Sequence, residues 1–165
     1  MLRSYGPTGS GQVSANRLRS FPFAELQLML NNESKTTIED DLGRATWIVI
    51  SLTDVGNGQV SLLRRFFSER PNLLRNKNVI LFSFTAPYYL DATDISKLYA
   101  YYALYSKQPA FVDVAARLLF QQVTLQGASP VSVPEVGYDL IKMTAPNPSQ
   151  VIPLVLDQEV EITPT

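Results

Sequence analysis

Two stretches decide the fold of this chain: Ala45-Thr46-Trp47-Ile48-Val49-Ile50-Ser51-Leu52 and Val79-Ile80-Leu81-Phe82-Ser83-Phe84. Both are short, nearly continuous in apolar character and rich in β-branched or aromatic residues, which is typical of strands covered on both faces. Between them, the segment 59–69 places Val60, Leu63, Phe66 and Phe67 on one side of a helix. A buried strand, a helix and a second buried strand predict a parallel βαβ unit.

The flanking segments extend this pattern. Helical spacing predicts helices over 22–31 and 110–122, a third strand is expected over 98–105, and the proline-rich stretch 130–134 suits an edge strand. We therefore predict an α/β fold, a flavodoxin-like three-layer α/β/α sandwich with a mainly parallel sheet of about five to six strands. Residues 1–20 are expected to be a lead-in at the cut edge of a longer chain. Residues 21–145 would form the sandwich and 146–165 a proline-rich connector.

Composition excludes several classes of function. The 165 residues carry a net charge of −1 and contain neither cysteine nor histidine. Disulfides, thiolate nucleophiles, cysteine- or histidine-ligated metals and a Ser-His-Asp triad are therefore excluded. The interspersed charges give no footprint for nucleic acid, and no apolar run is long enough for a membrane helix. We expect no cofactor, no metal, no nucleic-acid partner and no membrane partner.

Four residues are candidates for substrate contact. Asp54 and Asn57 follow the first strand, and Tyr88 and Tyr89 follow the second, where open α/β sheets bind ligands. Asp54 also has a purely structural explanation, namely that it stabilises the turn after the first strand, as aspartate commonly does. The tyrosines suit sugar stacking or a protein interface, but they also suit a strand with its rings packed inward. No acidic pair is placed by spacing alone for acid/base chemistry, so no catalytic residue is assigned.

Two weaker motifs have simpler explanations. Residues 6–13 have the glycine spacing of a phosphate-binding loop, but Gln12 and Val13 stand where lysine and a hydroxyl residue are needed. A flexible turn explains that loop better. Asp91 and Asp94 could contact a cation weakly, although capping of a short helix accounts for both.

From Ala45 to Asp139 the order of motifs resembles the C-terminal α/β sandwich domain of family 3 glycoside hydrolases, most closely the β-N-acetylhexosaminidase branch. The matching pieces, in chain order, are Ala45-Thr46-Trp47-Ile48-Val49-Ile50, Val79-Ile80-Leu81-Phe82-Ser83-Phe84-Thr85-Ala86-Pro87-Tyr88, Tyr101-Tyr102-Ala103-Leu104-Tyr105-Ser106, Val112-Asp113-Val114-Ala115-Ala116-Arg117-Leu118-Leu119-Phe120 and Gly127-Ala128-Ser129-Pro130-Val131-Ser132-Val133-Pro134. Gln121 and Ser129 depart from the family pattern, which has glycine and leucine there.

The resemblance implies a two-part hydrolase whose preceding barrel carries the aspartate nucleophile and a His–Asp acid/base pair. This chain has no histidine, and none of its glutamates matches the acid/base motif of the β-glucosidase branch. The family's catalytic residues are therefore expected outside these residues. The chain would be a non-catalytic accessory domain that packs on the barrel of the parent hydrolase and lends a loop to the sugar cleft. An extracellular or cell-envelope parent is slightly favoured.

The alternative is a free-standing flavodoxin-like module that binds a ligand or another protein. An accessory domain should expose a contiguous apolar patch where the barrel would sit, whereas a free-standing module should carry its own polar crevice. An independent hydrolase would need two carboxylates about 5 to 9.5 Å apart in a cleft.

Overall fold

The computed structural model describes residues 2–54, 56, 58–125, 127–133, 137 and 139–149. Within them, parallel strands alternate with helices. The strands are β1 (Trp47–Leu52), β2 (Asn78–Ser83) and β3 (Ala100–Ala103). The helices are α1 (Leu2–Tyr5), α2 (Phe23–Leu30), α3 (Ile38–Arg44), α4 (Gln59–Glu69), α5 (Ala92–Ile95), α6 (Pro109–Leu119) and α7 (Leu140–Thr144), with 3-10 turns at Ala15–Arg17 and Pro71–Leu73. Among the described residues, no helix is long and apolar enough to cross a membrane.

The sheet has the order β1-β2-β3 and both pairs are parallel, with Val49 opposite Ile80 and Ile80 opposite Ala100. The α/β class is confirmed, but the prediction of five to six strands is wrong for the described part of the chain, which holds three. Residues 130–133 form no strand. Local contacts replace a ladder there, because Ser129 Oγ donates to the Val131 carbonyl and the Ser129 amide donates to Thr144 Oγ1. Pro134 lies outside the described residues.

One face of the sheet is fully packed, and we call it the closed face. It presents Leu52, Leu81 and half-buried Tyr101 to helices α2 and α4 and to the segment 90–98. The core residues on this side include Met29, Leu52, Leu63, Phe66, Phe67, Leu81 and Leu90, all 2% exposed or less. Each fully buried side chain of this size contributes about 1.5–3 kcal/mol to folding. Most of the stability of the sheet therefore comes from this face.

The opposite face is only partly covered, and we call it the open face. Helix α6 packs Ala115 against Ile80 and Phe82 of β2. On β1, by contrast, Trp47, Val49 and Ser51 are exposed. The expectation that the first strand is covered on both faces is therefore wrong, since no described element reaches β1 on this side. Apolar residues on both sides of a strand do not reveal whether a second layer is present in the same chain.

Most predicted elements are confirmed. The helix over 59–69 has the predicted bounds, and the bounds of α2, α6, β2 and β3 lie within one to three residues of the predicted ones. Three helices were missed: α1 in the segment interpreted as a lead-in, α3 in the stretch interpreted as polar, and α7. Residues 6–13 follow helix α1 rather than a strand, so the loop lacks the context of a phosphate-binding loop. Tyr5, at the end of α1, is buried against Phe120 with ring centroids 4.0 Å apart.

Candidate functional site

The candidate site lies at the carboxyl edge, which we define as the edge where β1, β2 and β3 end at Leu52, Ser83 and Ala103. Parallel strands bring the loops that follow them to one edge. Asp54 lies in the loop after β1, and Tyr88 and Tyr89 lie in the loop after β2. These three predicted residues therefore share an edge. Asn57, the fourth, lies outside the described residues.

Asp54 holds its own loop together. Its Oδ1 accepts a hydrogen bond from the Gly56 amide at 3.0 Å. Gln59, the first residue of α4, turns back so that its Oε1 accepts from the amides of Thr53 and Asp54 at 3.2 and 3.1 Å. Gly58 precedes the helix in the left-handed region, at φ 73°, where glycine is favoured. The turn-stabilising role that the sequence allowed for Asp54 is therefore observed.

Tyr88 and Tyr89 form an aromatic pair. Their ring centroids are 4.8 Å apart at an interplanar angle of 45°, and Tyr88 is 52% exposed. The hydrogen bond to Tyr88 raises the pKa of the Tyr89 hydroxyl, with a smaller contribution from burial. The Tyr89 hydroxyl therefore stays protonated at neutral pH. The pair offers a ring surface and two hydroxyl groups, a combination that suits a sugar ring or a protein side chain.

The loop that carries this pair is anchored by a buried charge. Asp94, only 5% exposed, accepts a hydrogen bond at 3.0 Å from Arg64 Nε of helix α4. Arg64 Nη2 donates to the Tyr89 carbonyl at 3.0 Å. Asp91 caps α5 by accepting from the Asp94 amide at 2.9 Å. The capping role predicted for Asp91 is confirmed, whereas sequence reasoning did not find Arg64, which lies 30 residues from Asp94.

Hydroxyl groups of β2 and β3 form hydrogen bonds with the loop that follows β2. Ser83, fully buried, has its Oγ 3.1 Å from both the Thr85 carbonyl and the Thr85 hydroxyl. The Tyr101 hydroxyl donates to the Pro87 carbonyl at 3.0 Å. Burial is the main reason that the pKa of Tyr101 rises to about 12. Tyr101 is therefore neutral at ordinary pH and acts as a structural donor.

Tyr105, just after β3, is in an unusual conformation. Its φ is 58°, a left-handed value that is uncommon for an aromatic residue and costs of order 1 kcal/mol. Its hydroxyl lies 3.3 Å from Ser129 Oγ. Tyr105 belongs to one of the motifs quoted from the sequence but was not a candidate for substrate contact, and a positive φ at tyrosine leaves no signature in sequence.

The chain leaves adjacent strands toward opposite faces at this edge. The segment after β2 packs on the closed face through Leu90 and Ile95, whereas the segment after β3 leads to α6 on the open face. Ligand crevices of open α/β sheets form where neighbouring connections diverge in this way. Thr85 and Tyr105 begin the two diverging segments. The exposed rings and hydroxyls here would suit a polar, flat ligand, and among the described residues of these loops no nucleophile is paired with a base.

Two cavities lie elsewhere. A groove of about 480 Å³ runs between α2 and α4, and a smaller one of about 200 Å³ lies beside α3. The larger is lined by Phe23, Ala24, Gln27, Gly58, Gln59, Ser61, Leu62 and Arg65. Neither is lined by Asp54, Tyr88 or Tyr89. In the described part of the chain, no group of three or more acidic side chains could hold a metal ion.

Comparisons with protein families, with curated proteins and with solved structures found no match to this chain. The resemblance to the glycoside hydrolase domain therefore depends on the order of its motifs in the sequence.

Proposed function

We propose that this chain is a non-catalytic domain that docks against a partner domain through the open face of its sheet. One observation carries the proposal, namely the uncovered apolar surface at the start of that face. Trp47 is 52% exposed, Val49 39% and Tyr99 68%. The rings of Trp47 and Tyr99 meet edge to face with centroids 5.7 Å apart. Exposed, contiguous apolar surface on a folded domain typically marks an interaction site.

The shape of this surface favours a protein partner over a small ligand. Trp47 and Val49 project from a strand, and the cavities beside α2 and α3 are lined by other residues. A flat aromatic and aliphatic surface suits the packing of another domain, in which tryptophan and tyrosine commonly provide most of the binding energy. The patch contains no charged side chain, so docking leaves no charge buried without a partner.

We propose further that the partner is the catalytic barrel of a family 3 glycoside hydrolase, of the β-N-acetylhexosaminidase type, and that the chain is its flavodoxin-like α/β/α sandwich. Five motifs in the family's order over Ala45–Asp139 support this. The absence of histidine from the sequence fits a catalytic centre in the other domain. Tyr88 and Tyr89 at the carboxyl edge would contribute ring and hydroxyl contacts to the sugar cleft.

A free-standing binding module is the second candidate. The Tyr88–Tyr89 pair favours it, because an exposed aromatic pair at the carboxyl edge could bind a ligand without any other domain. The uncovered Trp47 and Val49 have no role in that alternative.

An activity comparison tests the proposal. The chain alone, and the same chain joined to its natural upstream coding sequence, are assayed with p-nitrophenyl N-acetyl-β-glucosaminide and p-nitrophenyl β-glucoside. We expect turnover only in the longer protein. Turnover by the chain alone would contradict a non-catalytic role, and silence from both proteins would favour the free-standing module.

A matched pair of variants in the longer protein tests the docking surface. Trp47→Asp places a charge in the open face and should lower activity or thermal stability of the two-domain protein. Met143→Asp, at a residue of α7 that is 72% exposed, adds the same charge outside the patch of Trp47, Val49 and Tyr99. Equal effects of the two variants would contradict docking through the open face.

A further inference from the structure

The first half of helix α6 is not covered by any described part of the chain. All six residues of 109–114 are exposed, whereas the second half of the helix buries Ala115, Ala116 and Leu118. Three of the exposed side chains are large and apolar, namely Phe111 at 41%, Val112 at 45% and Val114 at 38% exposure. Apolar side chains that cluster on the surface of a folded domain typically mark a contact.

A matching apolar run follows the described residues. It reads Val151-Ile152-Pro153-Leu154-Val155-Leu156, with five aliphatic side chains and no charge. Pro153 disfavours a helix across the run, and six residues in an extended conformation span about 20 Å. The 11 residues of α6 form a helix about 16 Å long. The run is therefore long enough to cover α6 from end to end.

The described chain comes close to α6 before it reaches this run. The Ser129 amide donates to Thr144 Oγ1 at 2.6 Å, and Ser129 Oγ lies 3.3 Å from the Tyr105 hydroxyl. Ser129 therefore joins the end of α7 to Tyr105, which lies four residues before α6. From Thr144, the segment 145–150 adds up to about 20 Å of reach. The apolar run can thus begin beside the start of α6.

The charges around the two apolar segments are complementary. Lys107 and Arg117 are exposed and form no ion pair within the described part of the chain. Asp113 is the only acidic residue between them. The apolar run is followed by Asp157, Glu159 and Glu161, and no basic residue follows Lys142. A run that starts at Pro109 and follows α6 brings these acidic residues toward Arg117, so charge selects the direction of the contact.

We propose that residues 151–156 of the same chain pack on the exposed half of α6, running from its first residue toward Arg117. Phe111, Val112 and Val114 would be buried by this contact. A short connection gives the run an effective concentration in the millimolar range at α6, so even a weak contact is populated. The inference goes beyond the proposed function, because the docking patch of Trp47, Val49 and Tyr99 is a different surface and stays open.

Spin labelling of the full chain tests the contact directly, because the sequence contains no cysteine. Gln158→Cys, just after the apolar run, carries a nitroxide. The amide signals of the isotope-labelled chain are recorded by NMR with the nitroxide oxidised and then reduced. We expect paramagnetic broadening at Val114 and Arg117, weaker broadening at Phe111, and none at Ser61 of α4, which packs on the opposite face of the sheet.

A matched pair of variants shows whether the apolar run causes the broadening. Leu154→Asp places a charge within the run and should abolish most of the effect at Arg117. Amide hydrogen exchange at Val114 should then become about tenfold faster. Gln150→Asp adds the same charge just before the run and should leave both measurements unchanged. The contact is local, so neither variant should shift the urea midpoint of the whole fold.

Four results would overturn the inference. One is the absence of broadening in α6, and another is broadening that Leu154→Asp leaves unchanged. Broadening confined to β1 would place the run on the sheet instead. The fourth is broadening of α6 that appears only between chains, when spin-labelled chain is mixed with isotope-labelled chain that carries no nitroxide, since the occupant would then be a second copy. None of these results bears on the activity comparison, so failure here leaves the proposed function standing.

Discussion

Both faces of the sheet carry apolar side chains, but those of the closed face are buried whereas those of β1 on the open face are exposed. On the closed face, Leu52 and Leu81 are fully buried and belong to the same core cluster as residues of helices α2 and α4. On the open face, Val49 and Trp47 belong to the same strand as Leu52, yet they are 39% and 52% exposed. Apolar side chains on the closed face stabilise the fold, whereas those on β1 of the open face remain available for contacts with other molecules.

Truncation of the core should show the largest contrast between these regions. Phe66→Ala, in α4 over the closed face, removes a ring that is 2% exposed and should reduce the free energy of unfolding by about 3–5 kcal/mol. Phe111→Ala, in α6, removes a ring that is 41% exposed and should cost below about 1 kcal/mol. Urea unfolding followed by circular dichroism measures both. Comparable losses would mean that the two sides of the sheet are packed alike.

Loss of the ion pair between Arg64 and buried Asp94 should have the next largest effect on the free energy of unfolding. Arg64→Met leaves the Asp94 carboxylate buried without its partner and should cost about 2–3 kcal/mol, less than for a fully buried pair because Arg64 is half-exposed. Arg65→Met is the matched control, since the neighbouring Arg65–Glu69 pair is exposed. Its cost should not exceed about 0.5 kcal/mol. The same urea titrations measure the difference, and a control as costly as Arg64→Met would contradict this assignment.

Alkaline pH should weaken the closed face through Tyr101. Burial raises the pKa of its hydroxyl from 10.0 to about 12. The unfolded chain therefore loses this proton first, so the contribution of Tyr101 to stability is complete below pH 10.0 and is lost as the pH rises to about 12. Tyr101→Phe should flatten the decline of the urea midpoint over this range. An unchanged decline would indicate that the other tyrosines cause it.

Substitution on the open face should change the stability of the monomer least. Trp47→Thr keeps a residue that favours strands and removes a half-exposed ring, so the free energy of unfolding should fall by less than about 1 kcal/mol. Association with a partner domain should fall far more. Thermal unfolding of the chain alone, set beside the two-domain assay, separates these effects. A large loss in the isolated chain would show that Trp47 belongs to the core.

The sequence predicts a helix or strand well where the spacing of apolar residues within that segment determines it. Helix α4 has the predicted bounds because Val60, Leu63 and Phe67 repeat with helical period. Helix α3 also has a signal in the sequence, since Ile38 and Leu42 are four residues apart and the three residues between them, in the first turn, are acidic.

Other features depend on contacts between distant parts of the chain. The position of Asp54 at the end of β1 follows from strand order, but the pairing of Arg64 with Asp94 requires two elements to meet in space. The sequence of β1 alone does not show whether another element packs on its open face. One of the strands counted in excess is the proline-rich stretch 130–134, in which local hydrogen bonds of Ser129 take the place of strand pairing.

The order of the sheet bears on how the protein is made. Each strand pairs with the one synthesised just before it, so the sheet can grow strand by strand as the chain leaves the ribosome. The link between the two ends of the fold comes late. The Tyr5 hydroxyl donates to Gln122 Oε1, 117 residues further along, so this contact must wait until α6 has emerged. Until then Ile80 and Phe82 of β2 lack the cover that Ala115 of α6 gives them in the folded protein.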